Sequence, residues 1–244
     1  MEKLVQGYVI RVSPYQENDC IITLLLKDSG DFLSFKARGI LKSTSKNAPS
    51  CQLYTLGEYL LDYKNDNGNN VLKTGVILDR ITDIYEKMEI NLVLGLVCEG
   101  ILKIDDGMDS QERLDLYGGI YDLLKIKTNY GTMILVILKY FMLYCGVLLE
   151  ADGCVECGRK NHLVDVSYQA GGYLCYDCNH HLDPKRNELY LKNYRYVIKA
   201  ELNNINDFEV PATVATTLIN EFFEYLENSA GLRLKSRAVI GKIF

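Results

Sequence analysis

The stretch IITLLLKDSGDFLSFKAR, from Ile21 to Arg38, sets the reading of the amino-terminal third of the chain. An apolar, β-branched run from Ile21 to Lys27 meets the turn sequence Asp28-Ser29-Gly30-Asp31, and Phe32 to Arg38 then alternates apolar with polar residues. Side chains alternate faces along a strand, so Lys36 and Arg38 share one face while Phe35 and Ala37 share the other. The stretch is a hairpin with its cations on one side.

Working outward, Leu4 to Val12, Leu53 to Tyr63 and Val71 to Leu78 complete a set of five short strands, the last two flanking the polar cluster Lys64 to Asn70 with its hairpin-type Asn67-Gly68-Asn69. Five strands over residues 1–79 without a crossover helix predict a small barrel or sandwich. Among five-stranded options the OB-fold is a common nucleic-acid scaffold, shared with oligosaccharide and protein binders. From Arg80 the period changes to helical: Ile90, Leu94, Val97, Ile101 and Ile104 form one stripe, and Leu114, Tyr117, Tyr121 and Leu124 a second, behind Asp109-Ser110 with Glu112 as a capping pair. Thr132 to Leu149 makes a third helix, and Val214, Leu218, Phe222 and Leu226 mark another between Pro211 and Gly231. The class is α+β: an OB-fold domain at 1–79, a helical domain at 80–150 and 187–244, and an insertion at 151–186.

The chain has 244 residues, 48% of them hydrophobic, and a formal charge of −5 from 27 Lys+Arg against 32 Asp+Glu. Such a composition builds a core and excludes general disorder, and the acidic total cannot steer the chain to nucleic acid, so a polyanion must be met by a local basic surface. No signal-peptide pattern follows Met1, so a cytoplasmic protein is expected. The apolar run Thr132–Leu149 carries Lys139 and Gly146 and reads as a buried bundle helix, with no membrane association.

In a reducing compartment the 8 cysteines are read for metal or catalysis before disulfides. Cys154 and Cys157, then Cys175 and Cys178, form two C-x2-C pairs separated by 17 residues, beside Gly158 and Gly171-Gly172. Two tight turns that each present a thiolate pair supply the tetrahedral shell of one structural zinc ion and leave no open position for catalysis. His162, His180 and His181 are expected to be loop residues, and Cys20, Cys51, Cys98 and Cys145 core residues. Zinc deaminase, P-loop, H-E-x-x-H, G-x-S-x-G and dinucleotide fingerprints are missing, and Asp105-Asp106 reads as a helix end, so no enzyme is expected.

Phe32 to Gly57 contains no Asp or Glu but holds Lys36, Arg38, Lys42 and Lys46; a second acid-free window, Asn228 to Phe244, holds Arg233, Lys235, Arg237 and Lys242. Two readings stay open for the first window, a phosphate-binding face and an ordinary solvated strand face, and the second window supports the former only if it folds back beside it. Tyr8, Tyr15 and Phe32 are either base-stacking residues or core aromatics.

In order and content these parts resemble the RecO family of bacterial recombination mediators. The resemblance rests on Gly7-Tyr8-Val9-Ile10-Arg11 followed by Glu17 and Asp19, on Lys36-Ala37-Arg38-Gly39, and on the Leu53 to Leu61 strand. It extends to Cys154-x-x-Cys157-Gly158, to Gly171-Gly172-x-x-Cys175-x-x-Cys178 and to Leu234-Lys235-Ser236-Arg237. It implies an OB-fold binding single- and double-stranded DNA and a helical domain with an inserted four-cysteine zinc finger. It also implies annealing of complementary strands, binding to RecR and to the C-terminal tail of single-strand-binding protein, and indirect help in loading recombinase, all near the nucleoid. Carried onto this chain, Arg11, Lys36, Arg38, Lys42 and Lys46 would form the DNA face, joined by Lys235 and Arg237, and Cys154, Cys157, Cys175 and Cys178 would hold zinc. The competing readings are a protein–protein adaptor whose barrel takes a peptide, told apart by salt-insensitive partner binding, an RNA-associated factor, told apart by retention on structured RNA, and, third, an enzyme with an unrecognised site, against which the missing motifs stand.

Overall fold

The computed structural model describes residues 1–65, 69–104, 107–126, 129–180 and 186–244. Asn67-Gly68, Asp105-Asp106 and His181 lie outside the described residues. The chain divides into two units, one of Met1–Met88 with Asp109–Lys125, the other of Glu89–Met108 with Ile126–Phe244.

In the first unit β1 (Glu2–Tyr15), β2 (Asp19–Leu26), β3 (Phe32–Ala37), β4 (Leu56–Asp62) and β5 (Asn70–Asp79) close into a barrel in the order β1-β2-β3-β5-β4. The β3–β5 pairing is parallel and the other pairings are antiparallel, which gives the expected OB-type barrel. Alternation puts Leu33, Phe35 and Ala37 of β3 into the core beside Val9, Ile22, Leu24, Tyr59 and Leu61, and leaves Phe32, Ser34 and Lys36 facing outward. Most strand boundaries fall within two residues of the sequence reading, and two differ by three. β1 runs on to Tyr15, past a register shift between Val9 and Arg11, and β4 starts at Leu56 because Tyr54 adopts φ 66° and hydrogen-bonds Val9 (2.8 Å).

Among the described residues the helices are α1 (Met88–Ile101), α2 (Ser110–Leu123), α3 (Tyr130–Tyr144), α4 (Glu188–Lys199), α5 (Ala212–Ala230) and the single turn α6 (Arg237–Ile240). α2 belongs to the barrel unit. Its capping box is reciprocal, Asp109 Oδ1 accepting from Glu112 N and Glu112 Oε2 from Asp109 N, both at 2.8 Å. Tyr117 and Tyr121 then pack on Tyr8 of β1 with ring centroids 4.9 and 5.0 Å apart, and Arg113 lies over Phe32 at 5.1 Å. Gly30, at φ 70°, lets the β2–β3 turn press against Ser110, where a Cβ would collide with the Ser110 carbonyl.

In the second unit α3 is the all-round apolar helix expected from sequence; it packs against α4 and α5, and among the described residues no helix is long and apolar enough to cross a membrane. Its buried Lys139 donates to the carbonyl of Ala200 (3.0 Å) at the end of α4, a favourable place for a cation. Asn187 caps α4, its side chain accepting from Tyr190 N (2.8 Å). Pro211 stands immediately before α5, and Gly231, at φ 65°, ends it. Between α3 and α4 the strands β6 (Leu163–Ser167) and β7 (Gly172–Cys175) form a hairpin.

Candidate nucleic-acid groove and metal centre

β2, β3 and the start of β5 turn a common outer face to solvent. Register aligns Ser13, Ile21, Lys36 and Val71 in one cross-strand row and Arg11, Thr23 and Ser34 in the next, with Thr23 Oγ1 and Ser34 Oγ 3.0 Å apart. The face is hollowed into a groove of about 510 Å³ lined by Tyr15, Ile21, Lys36, Arg38 and Lys64 among others, and by no described Asp or Glu. Arg38 stands just past the end of β3 and Lys64 just past the end of β4. The start of β5 is tied to β3 and to the residues just after β4 by buried Asn70, which donates to Ser34 O (3.2 Å) and Asn65 O (2.9 Å) while accepting from Lys64 N (2.9 Å). In OB barrels the strand 2–3 face and the loops after strands 1 and 4 take the ligand, and here the groove is lined by the β2–β3 face, by Tyr15 at the end of β1 and by Lys64 and Asn69 after β4.

The cations of this face differ in their freedom. Lys36 is held, 3.1 Å from Asp19 Oδ2, 3.3 Å from Gln16 Oε1, and over the ring of Tyr15 at 4.3 Å. Asp19 also accepts from Gly39 N (2.8 Å), and this N–H first, then Lys36, keeps its carboxyl below the ordinary range. Arg38 and Lys64 make no ion pair with a described residue, nor do the exposed Arg11, Lys42 and Lys46, which lie outside the groove lining. Of the three candidate stacking residues, Tyr8 is buried against α2, Phe32 is half-buried beneath Arg113, and Tyr15 alone stands on the groove, 42% exposed. Lys64 escaped the sequence reading because nothing in the polar run 64–70 points to it until the barrel closes.

The second basic window lies in the other unit and is organised by carboxylates. Glu227 takes Arg233 and Arg237 at 3.0 Å each. Glu99 of α1 accepts from the backbone N–H groups of Lys235 (2.6 Å) and Ser236 (3.0 Å) and pairs with Lys103 (2.9 Å). Burial opposes the Glu99 charge, but Lys103 and these N–H groups outweigh it and leave its carboxyl below the ordinary range. Leu234 is buried and Arg237 is paired with Glu227, so the Leu-Lys-Ser-Arg motif is anchored at both ends, with Lys235 and Lys242 exposed.

The four paired cysteines meet at the end of the β6–β7 hairpin, their sulfurs all within 4.8 Å of one another and Cys157 Sγ 3.7 Å from Cys175 Sγ. Metal–thiolate bonds of about 2.3 Å would set tetrahedral edges of ~3.8 Å. The spacing therefore fits one metal ion, and four thiolates suit a soft one. Each pair sits on a tight turn: Gly158 N donates to Cys154 O (2.8 Å) with Gly158 at φ 74°, and Asn179 N donates to Cys175 O (2.9 Å). Burial works against the Cys154 thiolate, but the N–H groups of Cys175, Cys157 and Glu156 bring it down to about 6. The Cys178 thiol is pushed up by its bonds to the sulfurs of Cys157 and Cys175. Arg159 pairs with Asp177 across the two turns. His162 and His180 are exposed and outside the cluster; Cys20, Cys51 and Cys98 are buried, and Cys145 is half-buried.

The first unit is thus an OB-type barrel with a cationic groove, and the second carries four clustered cysteines that could hold a metal ion. Sequence comparison makes the assignment specific: residues 1–80 match the family model Recombination protein O N terminal, and residues 87–238 match Recombination protein O C terminal. The chain belongs to the RecO family of DNA repair proteins, which is not a family of enzymes. It is 27% identical to DNA repair protein RecO of Listeria innocua, over 97% of this chain and 92% of the relative. It is 25% identical to that of Bacillus pumilus over 98% and 93%, and 26% identical to that of Lactobacillus acidophilus over 78% and 74%.

Proposed function

We propose that this chain is a recombination mediator whose barrel groove holds single-stranded DNA by its backbone and promotes annealing of complementary strands. Working with RecR and the C-terminal tail of single-strand-binding protein, it would help load recombinase onto coated DNA. The observation that carries the reading is the convergence of Lys36, Arg38 and Lys64 on one groove whose described lining holds no carboxylate, in a chain of net charge −5. Annealing needs two strands held close with their charge screened and their bases left free to pair, and backbone contacts supply that without reading sequence. Arg11 extends the same face; Lys42 and Lys46, on the β3–β4 connection, add exposed charge, and Lys235 offers a further contact from the other unit. The metal is one zinc ion, and its part is to fix the hairpin.

The test is a fluorescence strand-annealing assay at low salt. Arg38→Glu with Lys64→Glu should abolish annealing with the fold and metal content intact, and unaltered annealing would refute the groove. These positions serve better than Lys36, whose reversal would set a second carboxylate against Asp19 and disturb the β1–β2 turn.

A further inference from the structure

We infer that Tyr15 is a nucleobase platform, so that the groove selects unpaired strands over duplex; this rests on the groove being the DNA site. The strand aromatics Tyr8, Phe35 and Tyr59 are buried, whereas Tyr15, at the last position of β1, keeps 42% of its surface exposed on the groove. Its ring is not left to wander. The Lys36 ammonium lies 4.3 Å from the ring centroid and is itself fixed by Asp19 at 3.1 Å, so one side of the ring is backed by a tethered cation. Ile21, 37% exposed, and Val71 flank Lys36 in the same cross-strand row, adding apolar surface that a phosphate has no use for and a base can cover.

The lining thus supplies two chemistries together, cations for the backbone and an aromatic with aliphatic neighbours for a π face. Only an unpaired strand can offer both, because a duplex keeps its base faces inside the stack. Tyr15 is a specificity-determining residue on this view, and Asp19 and Lys36 position it.

Anisotropy titrations of the full-length protein with three probes test this: a labelled oligothymidylate, an abasic strand of equal length, and a blunt duplex. Wild type should bind thymidylate more tightly than the abasic strand. Tyr15→Ala should lose on the order of tenfold on thymidylate, within the range for one stacked base, with little change on the other two probes, so that the preference for bases disappears. Tyr15→Phe, which keeps the ring, should behave as wild type. Equal affinity of wild type for thymidylate and abasic strands, or equal losses on both in Tyr15→Ala, overturns the platform while leaving the groove in place. No retention of any probe by wild type, or no loss in Arg38→Glu with Lys64→Glu, overturns groove and platform together.

Discussion

The two acid-free basic windows, Phe32–Gly57 and Asn228–Phe244, have the same charge pattern in the sequence and opposite arrangements in the structure. In the first, Arg38 stands on the groove without an ion pair among the described residues, and Lys36 is paired with Asp19. In the second, Glu227 lies one residue before the window yet turns back from α5 onto Arg233 and Arg237, while Glu99 reaches the backbone of Lys235 and Ser236 from α1. A local run without acids therefore measures nothing about neutralisation. What matters is which carboxylates the fold brings to it: they take both arginines of the second window and leave Lys235 and Lys242 exposed, whereas Arg38, Lys42 and Lys46 of the barrel window stay without an ion pair among the described residues.

The largest expected effect separates both windows from the metal. Cys154→Ser should release the bound ion, one per chain by elemental analysis, and open residues 151–180 to protease, since structural zinc supplies roughly 10–16 kcal/mol to isolated zinc-finger peptides. Affinity for single-stranded DNA should survive if it belongs to the barrel. Next in size, Arg38→Glu with Lys64→Glu should weaken binding to an oligothymidylate about 100-fold, near 2.7 kcal/mol, whereas Lys235→Glu with Lys242→Glu should cost no more than about threefold; equal losses would erase the distinction between the windows.

Glu99→Gln should leave DNA affinity alone and cost about 1 kcal/mol of stability in denaturant melts, because a neutral amide holds Lys103 and the Lys235 and Ser236 N–H groups less strongly than a carboxylate does. Because its carboxyl is held below the unfolded value, the Glu99 contribution is complete above the ordinary carboxylate range and fades as pH falls through the depressed folded value. The smallest effect is a gain: Asp19→Asn can still accept from Gly39 N while releasing Lys36 from its counter-charge, so single-strand affinity should rise by a few-fold at low salt. A loss there would mean that the carboxylate contributes more by ordering the groove than it takes away by neutralising Lys36.

Much of this was legible in the chain because it is local. The C-x2-C pairs declare a metal site within 25 residues of each other's start, the Asp109–Glu112 box and Gly231 mark helix ends, and alternation from Phe32 to Arg38 fixes the inner and outer faces of β3. What escaped is long-range. Lys64 joins the groove only through Asn70, which bonds across to Ser34, and Asp19 reaches Lys36 only through strand register. α4 is announced in the sequence by little more than the helix-start pair Asn187-Glu188. Tyr8 and Tyr15 share one strand, yet α2 covers the first and not the second, a difference no strand pattern contains.

The most direct test of the central claim is the salt dependence of binding to single-stranded DNA. Contacts from Arg11, Lys36, Arg38 and Lys64 to about four phosphates predict a log–log slope near −3, falling by about half when Arg38→Gln and Lys64→Gln remove two of them. A slope that the double substitution leaves unchanged would place the phosphate contacts elsewhere and contradict the assignment of the barrel groove.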